Sequence, residues 1–219
     1  HLCAVGVDGR VECTPAISSL PSRPEGPVDS GDGFSCARSF GYYECRGAWS
    51  YFGEWSDGVA GELSACTWGP SSVECGRHPD GPTLTVPSSL TSVAAVFGGY
   101  EHYCALDSDG LPTCWGRNDH GQATPPAVPF VQLALGRHHS CGRTAVGSVI
   151  CWGAGTPTAD NGIGDHYGQG SPPPGTFVDL TAGESFTCGR FADGSLDCWG
   201  RWTESDSRAG EALLEPPTD

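Results

Sequence analysis

Twelve cysteines fall into six similar pairs, and their spacing constrains the fold more than any other feature of the chain. The pairs are Cys3 and Cys13, Cys36 and Cys45, Cys66 and Cys75, Cys104 and Cys114, Cys141 and Cys151, and Cys188 and Cys198, each nine or ten positions apart. Structural zinc sites gather thiolates at gaps of about two to four residues, because one turn must present two sulfurs to one ion. No Cys-x-x-Cys occurs in the sequence, so disulfides are the better reading, and a hairpin explains them. If Cys104 faces Cys114 across an antiparallel pair, Asp107 faces Leu111 and the loop is Ser108-Asp109-Gly110. Glycine then stands at the left-handed position that such a loop needs. The same register gives Val7-Asp8-Gly9, Ala145-Val146-Gly147 and Ala192-Asp193-Gly194. The pairs nine apart leave two-residue loops, Phe40-Gly41 and Pro70-Ser71, of which the second suits a tight turn less well. Directly opposed residues lie roughly 4.5–5.5 Å apart at Cα, within disulfide reach. On the chain-entropy account, each bridge contributes about 2–3 kcal/mol.

The repeat extends beyond the hairpins. Gly31, Gly61, Gly99, Gly136 and Gly183 each stand five residues before the first cysteine of a pair, and the last three follow strand-like runs, SVAAVFG, FVQLALG and FVDLTAG. One unit is therefore a strand, a Gly turn, a disulfide hairpin and a Pro-rich connector. First cysteines recur every 30 to 47 residues, the period of propellers and solenoids. The segment AGEALLE near the end is the one helix candidate. The expected fold is all-β: a single propeller over residues 1–219, of about six blades or part of seven, each carrying a disulfide-stapled hairpin. The repeat units fall near 1–27, 28–57, 58–87, 88–127, 128–174 and 175–219. Closing such sheets into a ring leaves few exposed strand edges.

The stretch GGYEHYCALDSDGLPTCWGRNDHGQ resembles a repeat of the regulator of chromosome condensation family. GRHHSCGRTAVGSVICWG and GESFTCGRFADGSLDCWGR resemble it over the same span, with GDHYGQG (Gly164 to Gly170) after the second. The resemblance covers residues 88–202; the first three units keep the cysteines but lack Trp-Gly after the second one. It implies a propeller, usually seven-bladed in that family. Members act as chromatin-bound exchange factors, as protein inhibitors of β-lactamases and as cell-surface modules. An acidic, disulfide-containing chain is most similar to the secreted bacterial branch, so nuclear function is not carried over. The resemblance also implies that His102, His139 and His1, each two residues before a first cysteine, are repeat residues packing within their own blades. They are not a joint metal set. The adjacent His138 and His139 are expected on opposite faces of a strand.

Charge narrows the partners. Lys+Arg is 11 against Asp+Glu 26, for a formal charge of −15, and every cation is arginine. Such a surface repels nucleic acid and anionic lipid, and no run reaches the roughly 18 apolar residues of a membrane-inserted helix. Twelve cysteines in a chain without Lys or Met fit an oxidising compartment, so the chain is expected to be secreted or at the cell surface, its export signal removed. No Gly-x-Ser-x-Gly, His-Glu-x-x-His or Gly-rich phosphate loop is present, and the Asp of each Asp-Gly turn is accounted for by turn chemistry.

These observations lead to a non-catalytic binding or recognition module with a protein or glycan partner. The alternatives are a structural subunit of an extracellular fibre or surface array, and a carbohydrate-active or metal-dependent enzyme. Tyr42, Tyr43, Trp49, Tyr51, Phe52 and Trp55 cluster in GYYECRGAWSYFGEW, and with Trp202 they are the candidate ligand-binding residues, since aromatics grip flat ligands and partners. No cofactor is expected, with calcium as the exception: Asp160, Asn161 and Asp165 lie among glycines and offer hard oxygen ligands. The first unit starts at HLC without the strand and glycine of the later units. The reading is either a segment of a longer chain or an incomplete first blade through which copies self-assemble.

Overall fold

The structure is a computed structural model. It describes residues 92–156 and 165–201 continuously and, before these, residues 2–5, 11–14, 28–30, 34–39, 42–47, 51–53, 57–61, 64–69, 72–77 and 83–90, with side chains for most of these from Cys36 onward. The described residues are all strand, turn and irregular chain, with no helix.

Among the described residues, eighteen strands form six antiparallel sheets in chain order. The first pairs β1 (Leu2–Val5) with β2 (Val11–Thr14). The second has four strands, β3 (Val28–Ser30), β4 (Phe34–Ser39), β5 (Tyr42–Gly47) and β6 (Tyr51–Gly53). The third holds β7 (Asp57–Ala60), β8 (Ser64–Gly69) and β9 (Ser72–Arg77). The fourth holds β10 (Val93–Gly98), β11 (His102–Asp107) and β12 (Pro112–Gly116). The fifth holds β13 (Gln132–Leu135), β14 (His139–Arg143) and β15 (Val149–Gly153). The sixth holds β16 (Phe177–Ala182), β17 (Phe186–Phe191) and β18 (Leu196–Gly200).

The hairpin register agrees with the sequence. Cysteine faces cysteine in all six sheets, and five bridges close there, Cys36–Cys45, Cys66–Cys75, Cys104–Cys114, Cys141–Cys151 and Cys188–Cys198. The sulfurs of Cys3 and Cys13 lie outside the described side chains. In the three-residue loops, Asp107 N–H donates to Leu111 O, Thr144 N–H to Ser148 O and Phe191 N–H to Ser195 O. Gly110, Gly147 and Gly194 take φ of 81°, 83° and 86°, the left-handed region expected of them. The bridged Cα atoms are 4.0–4.1 Å apart. That is closer than the sequence argument assumed, because a cysteine pair three steps from a hydrogen-bonded pair occupies a non-hydrogen-bonded position. The loop Val7-Asp8-Gly9 and the helix candidate lie outside the described residues.

The core is a series of layers between successive sheets, each containing a buried cystine sulfur. Cys66, Val93, Val96, Tyr103, Ala105 and Trp115 fill the space between the third and fourth sheets. Cys104, Leu106, Phe130, Leu133, Leu135 and Trp152 fill the next, and Ala134, Cys141, Phe177, Leu180 and Trp199 the one after. Phe130 and Phe177 head the incoming strands and lie over Gly142 and Gly189, where any side chain would meet their rings. Their N–H groups donate to Gly110 O and Gly147 O at the hairpin tip of the preceding unit, at 2.8 and 2.9 Å. The covalent staple and the seam to the next sheet thus share one turn. Antiparallel sheets packed face to face in chain order give the propeller architecture.

Candidate functional site

The Gly turns converge on one face and tie the units together. Gly61, Gly99, Gly136 and Gly183 each donate N–H to a carbonyl three residues on, closing a tight turn into the first hairpin strand. A Cβ on Gly61 would lie 2.8 Å from Gly99 O, on Gly99 2.8 Å from Gly136 O, and on Gly136 2.6 Å from Gly183 O. Backbone approaches backbone across each seam, which is why only glycine fits. Beside this contact runs a polar relay. His102 Nε2 lies 2.8 Å from Ser140 Oγ, and Ser140 Oγ donates to Gln122 O at 3.0 Å. The hydroxyl proton is thereby used, so Nε2–H is the donor to it. His139 Nε2, Thr187 Oγ1 and Gln169 O repeat the arrangement one unit on, at 2.8 and 3.3 Å. Ser64 Oγ and Tyr103 OH, 2.7 Å apart, occupy the same place between the third and fourth sheets. His102 and His139 are structural, but they reach across to the next blade instead of packing within their own, because the hydroxyl that satisfies them precedes the next unit's cysteine. Burial and the nearby imidazoles push both pKa values down to about 3, so both rings are neutral.

Outside this seam, the connectors after the fourth and fifth hairpins bring His120, His138 and Asp165 together. His138 Nδ1 is 3.3 Å and His120 Nε2 3.5 Å from Asp165 Oδ2, and the two rings stack with centroids 4.5 Å apart. His120 Nδ1 lies 3.1 Å from Asp119 Oδ1. Burial disfavours charge on Asp119, yet hydrogen bonds from Arg117 and Gln122 together with His120 hold its carboxyl well below the usual range. Burial and then His120 lower the pKa of His138. Both nitrogens of His120 and Nε2 of His138 are buried and make no hydrogen bond. Gln122 fixes this segment, since its Oε1 accepts from His120 N–H and its backbone carbonyl also accepts from Trp152 Nε1–H.

His138 and Asp165 open onto a polar cleft of about 420 Å³ lined also by Arg117, Arg137, Tyr167, Glu184, Ser185 and Arg201. Arg137 lies over the Tyr100 ring at 4.5 Å and pairs with Glu184, so it spans the fourth, fifth and sixth units. Arg201 lies over Tyr167 at 4.8 Å and donates to its hydroxyl at 3.0 Å. Arg117 pairs with Glu101 at 2.6 Å and Asp119 at 2.7 Å. The cleft thus combines fixed guanidinium groups, carboxylates and aromatic rings. Between the hairpin tips of the fourth and fifth units lies an apolar groove of about 640 Å³, lined by Leu106, Phe130, Val131 and Val146 among others.

Of the residues singled out in the sequence as ligand-binding or metal-ligating, Tyr42, Tyr43 and Asp165 have described side chains. Tyr42 is exposed on β5 and Tyr43, its neighbour on the other face, is buried beside Cys36, Cys45 and Ala65. Trp49, Trp55, Trp202, Asp160, Asn161, His1 and the side chains of Tyr51 and Phe52 lie outside the described residues. Asp165, expected beside Asp160 and Asn161, stands against two imidazoles. His138 and His139 do face opposite ways, one to Asp165 and one to Thr187. Sequence reasoning missed His120, Arg137 and Arg201. The available signal was the Gly-Gln that recurs between units, with His120 one residue and Asp165 three residues before it, and with Gly121 and Gly168 both at φ 81°.

Residues 91–122 match the Regulator of chromosome condensation (RCC1) repeat. Protein pim1 of Schizosaccharomyces pombe is 25% identical over 37% of this chain and 21% of its own length, so the chain spans about a fifth of that curated relative. The CRINKLY WD40 ectodomain of the Arabidopsis thaliana receptor kinase ACR4 has the same fold, with a TM-score of 0.65 at 21% identity over 90% of this chain and 75% of that one. The ectodomain of the Physcomitrella patens receptor kinase CR4 gives 0.64 at 21% identity over 90% and 58%. Yeast RCC1 (Prp20), solved bound to Kap60, gives 0.62 at 17% over 80% and 55%. The fold is therefore a propeller of the kind that carries this repeat.

Proposed function

We propose that the chain is an extracellular, non-catalytic recognition module that holds a protein partner on its Arg-lined face. The observation that carries this reading is the fixed pairing of Arg137 with Tyr100 and Arg201 with Tyr167 around a mixed-sign cleft. Arginine and tyrosine dominate binding energetics because they combine apolar area with directed hydrogen bonds, and pre-positioning them reduces the entropy lost on association. Five disulfides support an oxidising compartment, and a formal charge of −15 disfavours nucleic acid and anionic membranes. Propellers of the same fold include receptor-kinase ectodomains and yeast RCC1 bound to Kap60, which supports a protein as the partner class.

The test places a photocrosslinker at Ser185, in the cleft, and separately at Val146, on the hairpin-tip groove, and exposes each protein to its native extracellular fraction. A discrete protein adduct is expected at Ser185, absent from an Arg137→Ala/Arg201→Ala variant whose melting temperature is within about 4 °C of wild type. Adducts confined to Val146, or unchanged in the double variant, overturn the assignment of the face. Turnover of an added glycan by the wild-type chain overturns the non-catalytic reading.

A further inference from the structure

We propose that His120, His138 and Asp165 form a binding site for a divalent transition-metal ion, of which zinc is the physiological candidate by chemistry. They are the one convergent group of three ligand-type side chains among the described residues, with their ligand atoms all within 4.8 Å of one another. Two imidazole nitrogens and one carboxylate oxygen are the donors that borderline ions prefer, whereas calcium takes oxygen almost throughout.

The distances fit an ion. Bonds of about 2.1 Å at tetrahedral angles place neighbouring ligand atoms about 3.4 Å apart. His138 Nδ1 to Asp165 Oδ2 is 3.3 Å and His120 Nε2 to Asp165 Oδ2 is 3.5 Å. Two of the three edges therefore already have coordination length, although neither is a hydrogen bond of normal length. The third edge closes by changing the tilt between two rings that now stack at 15°.

Hydrogen bonding points the same way. The His120 side chain is only 2% exposed, yet its Nε2 has no hydrogen-bond partner and its Nδ1 meets only the Asp119 carboxylate. A buried polar atom without a partner is unfavourable and calls for an explanation. An ion at Nε2 satisfies that nitrogen and leaves Nδ1–H to face Asp119 Oδ1, 3.1 Å away. Metal-bound histidines usually donate their other nitrogen to a carboxylate in this way, which fixes the tautomer and orients the ring. Asp119 is itself held by Arg117 and Gln122, so it is a positioning residue with a rigid mount. Because His138 and Asp165 line the polar cleft, the remaining coordination positions point into it. There a carboxylate or water completes the shell. The site stands independently of the partner proposed above, since its ligands come from this chain alone.

The test is titration of the untagged, disulfide-intact chain, stripped with chelator, with cobalt(II) followed by visible absorption and with zinc followed by calorimetry. One equivalent of cobalt with the intense spectrum of a low-coordinate site is expected, displaced by zinc, and zinc is expected to raise the melting temperature. His120→Ala, His138→Ala and the near-isosteric Asp165→Asn should each weaken binding by at least about 100-fold, while Asp119→Asn weakens it by about 10- to 100-fold and leaves the spectral shape unchanged. Asp165→Asn preserves volume, so it serves if a histidine variant misfolds. Absence of stoichiometric cobalt or zinc binding overturns the proposal. Binding undiminished in the three ligand variants does so too. Calcium binding that Asp165→Asn abolishes but the histidine variants keep, together with no cobalt binding, replaces it with a hard-ion site.

Discussion

Lowering the pH from about 7 to about 5 sets the buried imidazole of His102 against the unfolded chain. In the folded protein this ring is fully buried, donates Nε2–H to Ser140, faces His138 and His139, and has its pKa lowered to about 3, where an unfolded histidine titrates at 6.5. Below 6.5 the unfolded chain therefore binds a proton that the folded chain refuses. Stability held above the unfolded pKa is lost as pH falls from about 6.5 toward about 3, and this contribution is flat below that. At pH 5 the gap of about 1.5 units, at about 1.4 kcal/mol per unit, corresponds to about 2 kcal/mol. Carboxylates also titrate over this interval, so the informative quantity is a difference against His102→Phe. Phenylalanine fits that position, since Phe186 occupies the equivalent one in the sixth unit and lies against Gly183 as His102 lies against Gly99. Ser140 still donates to Gln122 O in the variant. Thermal unfolding with chelator present should show wild type losing about 2 kcal/mol more than His102→Phe between the two pH values. That is about 4–8 °C more in melting temperature for a domain of this size. Parallel pH profiles for the two proteins would refute the reasoning, because they would mean that the ring gains its proton without leaving the fold.

Two glycine substitutions separate close approach from backbone conformation. Gly136→Ala puts a methyl group 2.6 Å from Gly183 O and should cost at least about 3 kcal/mol in denaturant unfolding. Gly168→Ala meets nothing within 4 Å and carries only the strain of φ 81°, about 1–2 kcal/mol, so equal losses would contradict the seam described above. Replacing Cys104 and Cys114 together by alanine should lower stability by about 2–3 kcal/mol without unfolding the chain. Peptide mapping of wild type should return six local bridges, Cys3 with Cys13 included, and any bridge between units would break the hairpin pattern.

What the sequence made legible is what depends on neighbours within about ten positions. Cysteine spacing set the register, and Gly110, Gly147 and Gly194 took the conformations that the register required. The strands before Gly99, Gly136 and Gly183 were readable for the same reason. Tyr43 was not, because the alternation that exposes Tyr42 buries it, and an aromatic-rich run does not announce its pleat. The convergence of His120, His138 and Asp165 was beyond reach because they come from two connectors and a strand entry, and their distances are set by the packing of the units. Asp165 was noticed for its glycine-rich surroundings, which supply oxygen ligands on paper, whereas the folded chain sets it against nitrogen.

The hydroxyl pairs across the seams also make the order of the units part of the fold's specification. Ser64 is short and meets a long Tyr103; His102 and His139 are long and meet the short Ser140 and Thr187. Exchange the fourth and fifth units, and Ser64 would face Ser140 across a gap while the His139 imidazole and the Tyr103 phenol competed for one space. Each of these three seams is keyed by reach, so the blades they join read as an ordered word whose letters do not commute. Shuffling or duplicating a unit in this protein would then require rewriting two residues, the one two places before a first cysteine and the one just before the next.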